Sequence, residues 1–245
     1  SDGDVLWVGT YSNGLNRLDL QTNTVRVYRH TPRKPDSLGA NGITSITRLS
    51  TGDLLVGTYG GGLNIYDEAA DSFRNLRHTP GDSTSLSNDR VLSIFEDSLG
   101  FIWIGTEDGL NRLHLDAGIF DRFYSDRADP SSLSSDMPWA FYEHEDGTLW
   151  IGTGGGGVNL WPINDRKHLR ENFLTLPDTA PVPSSNIYAI QGSELGHIWL
   201  AHSKGLTRVT PTGSSSHSYG VRDGLQAAEF SLGASFRSSA GLLYF

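Results

Sequence analysis

Residues 101–116 read FIWIGTEDGLNRLHLD. A Trp stands between two isoleucines, Gly-Thr closes the run, a polar turn with Gly follows, and a second alternating run leads away. Short apolar and β-branched runs bounded by turn formers are the mark of a strand hairpin. The stretch decides the fold because near-copies of it recur. Aligned on the aromatic position, Trp7, Leu55, Trp103, Trp150 and Trp199 are separated by 48, 48, 47 and 49 residues, and Tyr244 follows after 45. A period of this length signals a solenoid or a propeller.

Each period divides in the same way. A first run, Val91 to Phe95, is matched at 43–47, 139–142 and 187–190. A tight turn and the Trp run follow. A Gly-initiated run, 109–113, is matched at 14–18, 62–66, 157–161 and 205–209, and a last run, 120–124, is echoed at 25–28 and 73–76. Helical spacing is nowhere sustained. Four short strands per repeat make one antiparallel sheet, which cannot bury both faces alone. Stacking successive sheets face to face does so, and the fold class is therefore all-β, a β-propeller of four-stranded blades over residues 1–245. The Trp on the second strand is expected to fill the space between blades, and the Gly two residues later to remove a side chain where a neighbour comes close. Pro138 opens a first-strand run, a position where a missing N–H is tolerated. A β-helix, whose repeats are usually shorter and lack this four-strand punctuation, is the second choice.

In this frame three leading strands precede four complete repeats. A first strand around residues 230–235 and the start of a second trail them. The pieces make a five-bladed ring if the trailing strand pairs with the leading ones, or an arc of a larger ring. The chain opens SDGDVLWVGT, without Met, and ends inside an apparent strand, so it reads as part of a longer polypeptide.

Composition narrows the function. The 245 residues carry a formal net charge of −9, which repels phosphate backbones and argues against nucleic acid. Cysteine is absent, which removes disulfides, thiolate chemistry and Cys-ligated zinc. No apolar run has the length of a membrane span.

The stretch SLSNDRVLSIFEDSLGFIWIGTEDGLNRLHLDAGIFDRFY, residues 85–124, closely resembles the repeat of the two-component regulator propellers. The resemblance is carried by the Leu-Ser lead-in, the Glu-Asp-x-x-Gly-x-Ile-Trp-Ile-Gly-Thr core and the Gly-Leu-Asn-Arg continuation, and it covers almost the whole chain. Leu55 in place of Trp, and Ala201-His202 in place of Gly-Thr, depart from it. The family forms extracytoplasmic sensor regions of bacterial hybrid histidine kinases and some diguanylate cyclases. Its rings are usually seven-bladed, and the last blade precedes an immunoglobulin-like domain. The resemblance thus implies a periplasmic, non-catalytic ectodomain that binds a small extracellular ligand of saccharide type. Its partners would be adjacent blades, the immunoglobulin-like domain and a second copy in a homodimer, with no cofactor.

Individual residues carry little sign of bond chemistry. The carboxylates Glu96-Asp97, Glu143-Glu145-Asp146 and Asp67-Glu68 sit at equivalent turns, where such residues cap their own backbone. His30 and His78 recur 48 residues apart, and the other histidines have no zinc-binding spacing. No catalytic or metal residue is assigned. The enzyme alternative is a propeller lyase of the kind that inactivates streptogramin antibiotics, which has similar Trp-containing repeats; a purely structural interaction module is a third reading. The glycines 154–157 precede a strand rather than a helix, so they read as a permissive hairpin turn and not a phosphate cradle. Binding is left to loops on a rigid scaffold. Tyr11, Tyr59, Arg90, Glu107, Trp139 and Tyr188 are the candidates for lining that face, since aromatics among polar groups suit stacking on sugars.

Overall fold

The computed structural model describes residues 3–210 and 212–245. They group into two compact units, residues 3–96 with Gly100–Arg122, and Asp97–Leu99 with Phe123–Phe245.

The first unit opens with a three-stranded sheet, β1 (Val5–Gly9), β2 (Leu15–Asp19) and β3 (Val25–Tyr28). Two four-stranded sheets follow: β4 (Ile43–Arg48), β5 (Leu54–Thr58), β6 (Gly62–Asp67) and β7 (Ser72–Leu76), then β8 (Val91–Glu96), β9 (Ile102–Thr106), β10 (Gly109–His114) and β11 (Ile119–Phe123). The second unit has two more: β12 (Pro138–Glu143), β13 (Leu149–Thr153), β14 (Val158–Trp161) and β15 (Leu174–Thr175), then β16 (Ile187–Gly192), β17 (Ile198–His202), β18 (Gly205–Val209) and β19 (Ser216–Tyr219). The pair β20 (Phe236–Arg237) and β21 (Leu243–Tyr244) ends it. The protein is all-β, and its sheets are antiparallel propeller blades: three leading strands, four complete blades and a trailing pair, as the repeat predicts. Pro138 is the first residue of β12.

Two expectations are corrected. The trailing first strand pairs at Phe236–Arg237 and not around 230–235, because the partner of Tyr244 is Phe236, just as the partner of Trp103 is Phe95. A five-residue α-helix, α1 (Ile163–Lys167), follows Pro162 after β14. Five residues are too few to write a helical period into the sequence. Pro162, extended at φ −60° and ψ 143°, ends the strand at the point where the helix begins.

Packing within each unit follows the motif. Leu15, Leu54, Val56 and Phe73 form a core with Trp7 and Tyr66 between the first two sheets. Leu55, Leu63, Val91, Ile94 and Ile104 do the same between the next two. Trp150, Val158, Ile187, Ile190 and Leu200 do so in the second unit. Leu55, at the Trp position, is completely buried, as is Trp103. Burial of each such side chain contributes about 1.5–3 kcal/mol. The motif glycine has the role its spacing suggests. A Cβ at Gly9 would lie 2.5 Å from Ile43 Cγ2, one at Gly57 2.6 Å from Val91 Cγ1, and one at Gly152 2.7 Å from Ile187 Cγ2. The glycine admits the β-branched residue that opens the next blade.

The first strand of each of the four complete blades carries a register shift at its second residue: between Ile43 and Ser45, Val91 and Ser93, Pro138 and Ala140, and Ile187 and Ala189. Thr44, Leu92, Trp139 and Tyr188 are therefore the extra residues of four equivalent bulges. A bulge re-aims its side chain out of the alternating pattern of the sheet.

Candidate recognition site

The six candidates fall at two repeated positions and beside them. Tyr11, Tyr59 and Glu107 follow the Thr of the Gly-Thr motif, Trp139 and Tyr188 are bulge residues, and Arg90 precedes β8.

In the first unit, Tyr59, Arg90 and Glu107 come together. The Tyr59 hydroxyl donates to Glu107 Oε1 at 2.9 Å, and an Arg90 Nη donates to Glu107 Oε2 at 2.6 Å. The Arg90 guanidinium lies 5.0 Å from the centroid of the Tyr59 ring. The backbone holds the cluster in register: Tyr59 and Arg90 form an antiparallel bridge, and Glu107 N donates to Arg90 O. The hydrogen bond to Glu107, and then that carboxylate's charge, raise the Tyr59 phenol above its ordinary range. The same two effects raise the Arg90 guanidinium. Tyr11 is 88% exposed, and its phenol adds a small raising effect on Tyr59. Its carbonyl and the Tyr59 Cβ border the same Gly42.

In the second unit, Trp139 and Tyr188 stack, with centroids 5.5 Å apart and planes inclined by 16°. They are equivalent bulge residues of consecutive blades. The indole also lies over Gly154, where a Cβ would sit 2.4 Å from Trp139 Cζ2. Gly154 is thus a residue of this arrangement, missed at the sequence level because it is hidden in a run of four glycines. Serine hydroxyls belong to the same hairpins: Ser135 Oγ donates to Gly154 O at 2.7 Å, and the hydroxyls of Ser184 and Ser203 are 2.7 Å apart.

The glutamates at the ends of β8 and β12 have a different task from the self-capping expected of them. Glu96 accepts from Ser50 N and Ser50 Oγ at 2.6 and 2.7 Å, and Glu143 accepts from Ser98 N and Ser98 Oγ at 2.6 and 2.8 Å. Each carboxylate holds a hairpin turn some 45 residues back in the chain, a spacing that marks the repeat. The aspartates do cap their own turns, Asp97 accepting from Leu99 N and Asp146 from Thr148 N. Arg166 of α1 is fully buried. It ion-pairs with Asp97 at 2.8 Å and with Glu143, and it donates to Gly147 O at 2.8 Å. These carboxylates are engaged in holding turns rather than paired across a cleft.

The histidines are also tied to the scaffold. His30 and His78 bond Leu38 O and Leu86 O through Nδ1 at 2.7 and 2.9 Å. His202 is buried in the place of the motif Thr. Its Nδ1 accepts from Lys204 N, so its Nε2 is the protonated nitrogen that donates to Thr207 Oγ1 at 2.7 Å. Burial, and then the Lys204 charge, pull the His202 imidazole down to about 4. Among the described residues, no group of three or more His, Asp or Glu is arranged to hold a metal ion. Among the same residues, no helix is long and apolar enough to cross a membrane.

Residues 85–108 and 132–155 match the family described as two component regulator propeller. Each segment runs from the Leu-Ser lead-in through the first two strands of a blade. No curated protein matches the chain. Among solved structures, it is similar to the extracellular domain of a putative hybrid two-component system from B. thetaiotaomicron, at 23% identity and a TM-score of 0.74, over 98% of this chain and 30% of that one. It is also similar to PorZ, a surface component of the type-IX secretion system of Porphyromonas gingivalis, at 14% identity and a TM-score of 0.67, over 94% of this chain and 34% of that one. The chain spans about a third of the length of either, and the likeness is one of fold.

Proposed function

We propose, from the premise that this chain carries two-component regulator propeller repeats, that it is a ligand-recognition region of an extracytoplasmic bacterial signalling receptor. Its ligand is a small saccharide, and it performs no bond chemistry. Binding changes how the propeller packs against the next domain or a second copy, and that change passes the signal to a kinase or cyclase output. The observation that carries the reading is the stacked Trp139–Tyr188 pair on equivalent bulges of consecutive blades. The bulge recurs in all four complete blades, and in these two consecutive ones it carries aromatic side chains that present a flat apolar surface beside serine hydroxyls. Function usually sits on such features over a rigid scaffold.

Calorimetric titration of the chain with a panel of neutral and acidic saccharides tests the reading. At least one saccharide is expected to bind, and W139A/Y188A to weaken it about tenfold or more, since apolar area covered by an aromatic side chain is worth about 1.5–3 kcal/mol. Unchanged affinity in W139A/Y188A would remove the basis for the assignment.

A further inference from the structure

Three of the first four connections between blades are built alike. A serine hydroxyl closes the loop on itself: Ser37 accepts from Thr31 N at 2.9 Å, Ser85 from Thr79 N at 2.8 Å and Ser132 from Asp126 N at 2.8 Å. The next residue, Leu38, Leu86 or Leu133, is buried to within 1% exposure and plugs the gap under the loop. The residue after that donates its backbone N–H to an asparagine on the third strand of the following blade. Gly39 N reaches Asn64 Oδ1 at 2.7 Å, Ser87 N reaches Asn111 at 2.9 Å and Ser134 N reaches Asn159 at 3.1 Å.

The fourth connection, residues 176–186, lacks every part of this lock. Pro181 replaces the serine and has no hydroxyl. Val182 replaces the leucine, one methylene shorter and only half-buried. Pro183 replaces the donor and has no N–H. Thr207 replaces the asparagine and has no carbonyl to accept one. Donor and acceptor are missing as a set. A loop under no constraint would drift one residue at a time and leave a buried group unsatisfied. Here both sides of the N–H to asparagine bond are gone, and a pocket of about 370 Å³ lies between this loop and the hairpin of glycines 155–157.

The chemistry of the pocket selects its ligand. Leu176, Pro177, Pro181 and Val182 give it apolar walls, and Thr175 and Ser185 add hydroxyl-bearing side chains. The hairpin glycines present backbone only. A Cβ at Gly155 or Gly157 would meet nothing within 4 Å, so the space beside them is open. Gly155 N and Gly157 N both donate to Ser185 O, which leaves no ring of free amides for an anion. The one charged residue at the wall is Asp178. An uncharged ring with an apolar face and hydroxyl edges fits, and an anion does not. We infer that the pocket between the glycine hairpin and loop 176–185 binds one uncharged pyranose unit. This rests on the saccharide reading above and gives it a second, separate location.

The decisive variant repairs the lock rather than damaging it. P181S/V182L/P183S/H202T/T207N restores the hydroxyl, the plug, the N–H donor and the Thr–Asn pair of the other blades. It is expected to fold with a melting temperature equal to or above the parent and to lose binding of neutral monosaccharides, glucose, galactose and mannose, at least tenfold by calorimetry. Glucuronate is expected not to bind the parent chain. P177E, a rim substitution at an exposed residue, guards against misfolding of the repaired loop and is expected to weaken the same neutral sugar about fivefold. W139A/Y188A is run in parallel. Loss in the repaired variant with binding kept in W139A/Y188A upholds the pocket and sinks the aromatic reading. Loss only in W139A/Y188A overturns the pocket and leaves the aromatic reading intact. Loss in both makes them one extended site. Unchanged affinity in both, or no neutral monosaccharide bound by the parent chain, rules the pocket out.

Discussion

The two units use the same backbone positions in opposite ways. In the first, the residue after Gly-Thr is large, Tyr59 or Glu107, and the bulge carries Thr44 or Leu92. In the second, the residue after Gly-Thr is Gly154, or Ser203 after the Ala201-His202 variant, and the bulge carries Trp139 or Tyr188. Where the bulge residue is aromatic, large and small exchange places because the two positions are neighbours: the Trp139 indole occupies the space where a side chain on residue 154 would stand. One arrangement exports a charged cluster and the other an aromatic stack. Neither disturbs the register, because the inter-blade glycine and the β-branched residue it admits keep the sheets in place. A repeated scaffold thus leaves two interchangeable positions per blade on which recognition can vary.

The turn clamps show the same divergence and predict the largest effect. In the first unit Glu96 holds Ser50 at an exposed site. In the second Glu143 holds Ser98 in the same way, with the buried Arg166 guanidinium added between Glu143 and Asp97. R166M removes the cation and leaves buried carboxylates facing one another. Breaking one side of a buried ion pair costs about 3–5 kcal/mol, whereas E96Q, at a surface clamp, is expected to cost about 1 kcal/mol or less. Urea denaturation of the two variants compares them directly. Equal losses would mean that α1 adds nothing to the second clamp.

How much of this was legible in the sequence follows from what repeats. The blades, their strand order and the inter-blade role of Trp150 and Gly152 are written by period and alternation, and both survive in a single chain read once. The pairing of Tyr59, Arg90 and Glu107 was half legible: the residues were singled out, but the bond geometry joining residues 48 apart was not. α1 was invisible because its one structural residue, Arg166, looks like any surface cation until its partners, Asp97 and Glu143, are placed. Gly154 was hidden for the opposite reason, since a run of four glycines conceals which one meets a ring.

The departure in the last complete blade, β16–β19, gives a pH test of intermediate size. Thr58, Thr106 and Thr153 close their hairpins with a hydroxyl that does not titrate, each donating to the carbonyl of a hairpin glycine. His202 stands in that place as a neutral imidazole held down to about 4 by burial and Lys204. An unfolded histidine takes its proton near pH 6.5. Between about pH 6.5 and 4 the unfolded chain therefore binds more protons than the folded one, and stability falls as pH falls through that window. The loss is expected to reach about 2 kcal/mol at the acid end, after allowance for solvent screening. H202T should flatten the slope between pH 6.5 and 4.5. A parent and variant with parallel pH profiles would show that the imidazole is reached by solvent without unfolding.

The smallest effect isolates the charged arrangement of the first unit. Glu107 raises the Tyr59 phenol by accepting its hydrogen bond and by its charge, while Arg90 over the ring pulls the other way. E107Q removes the carboxylate's charge, exchanges a charge-assisted hydrogen bond for a neutral one, and leaves the guanidinium. Tyr59 is then expected to ionise at lower pH than in the parent chain. The melting temperature should hardly move, because the cluster is exposed and such surface pairs contribute little. Phenolate absorbance measured against pH, with Y59F as the blank, reads the shift of this one residue. An unshifted Tyr59 in E107Q would mean that the hydrogen bond does not persist in solution. The first unit would then present three independent side chains where the second presents a packed pair, and the exchange of large and small positions would distinguish a preorganised surface from a loose one.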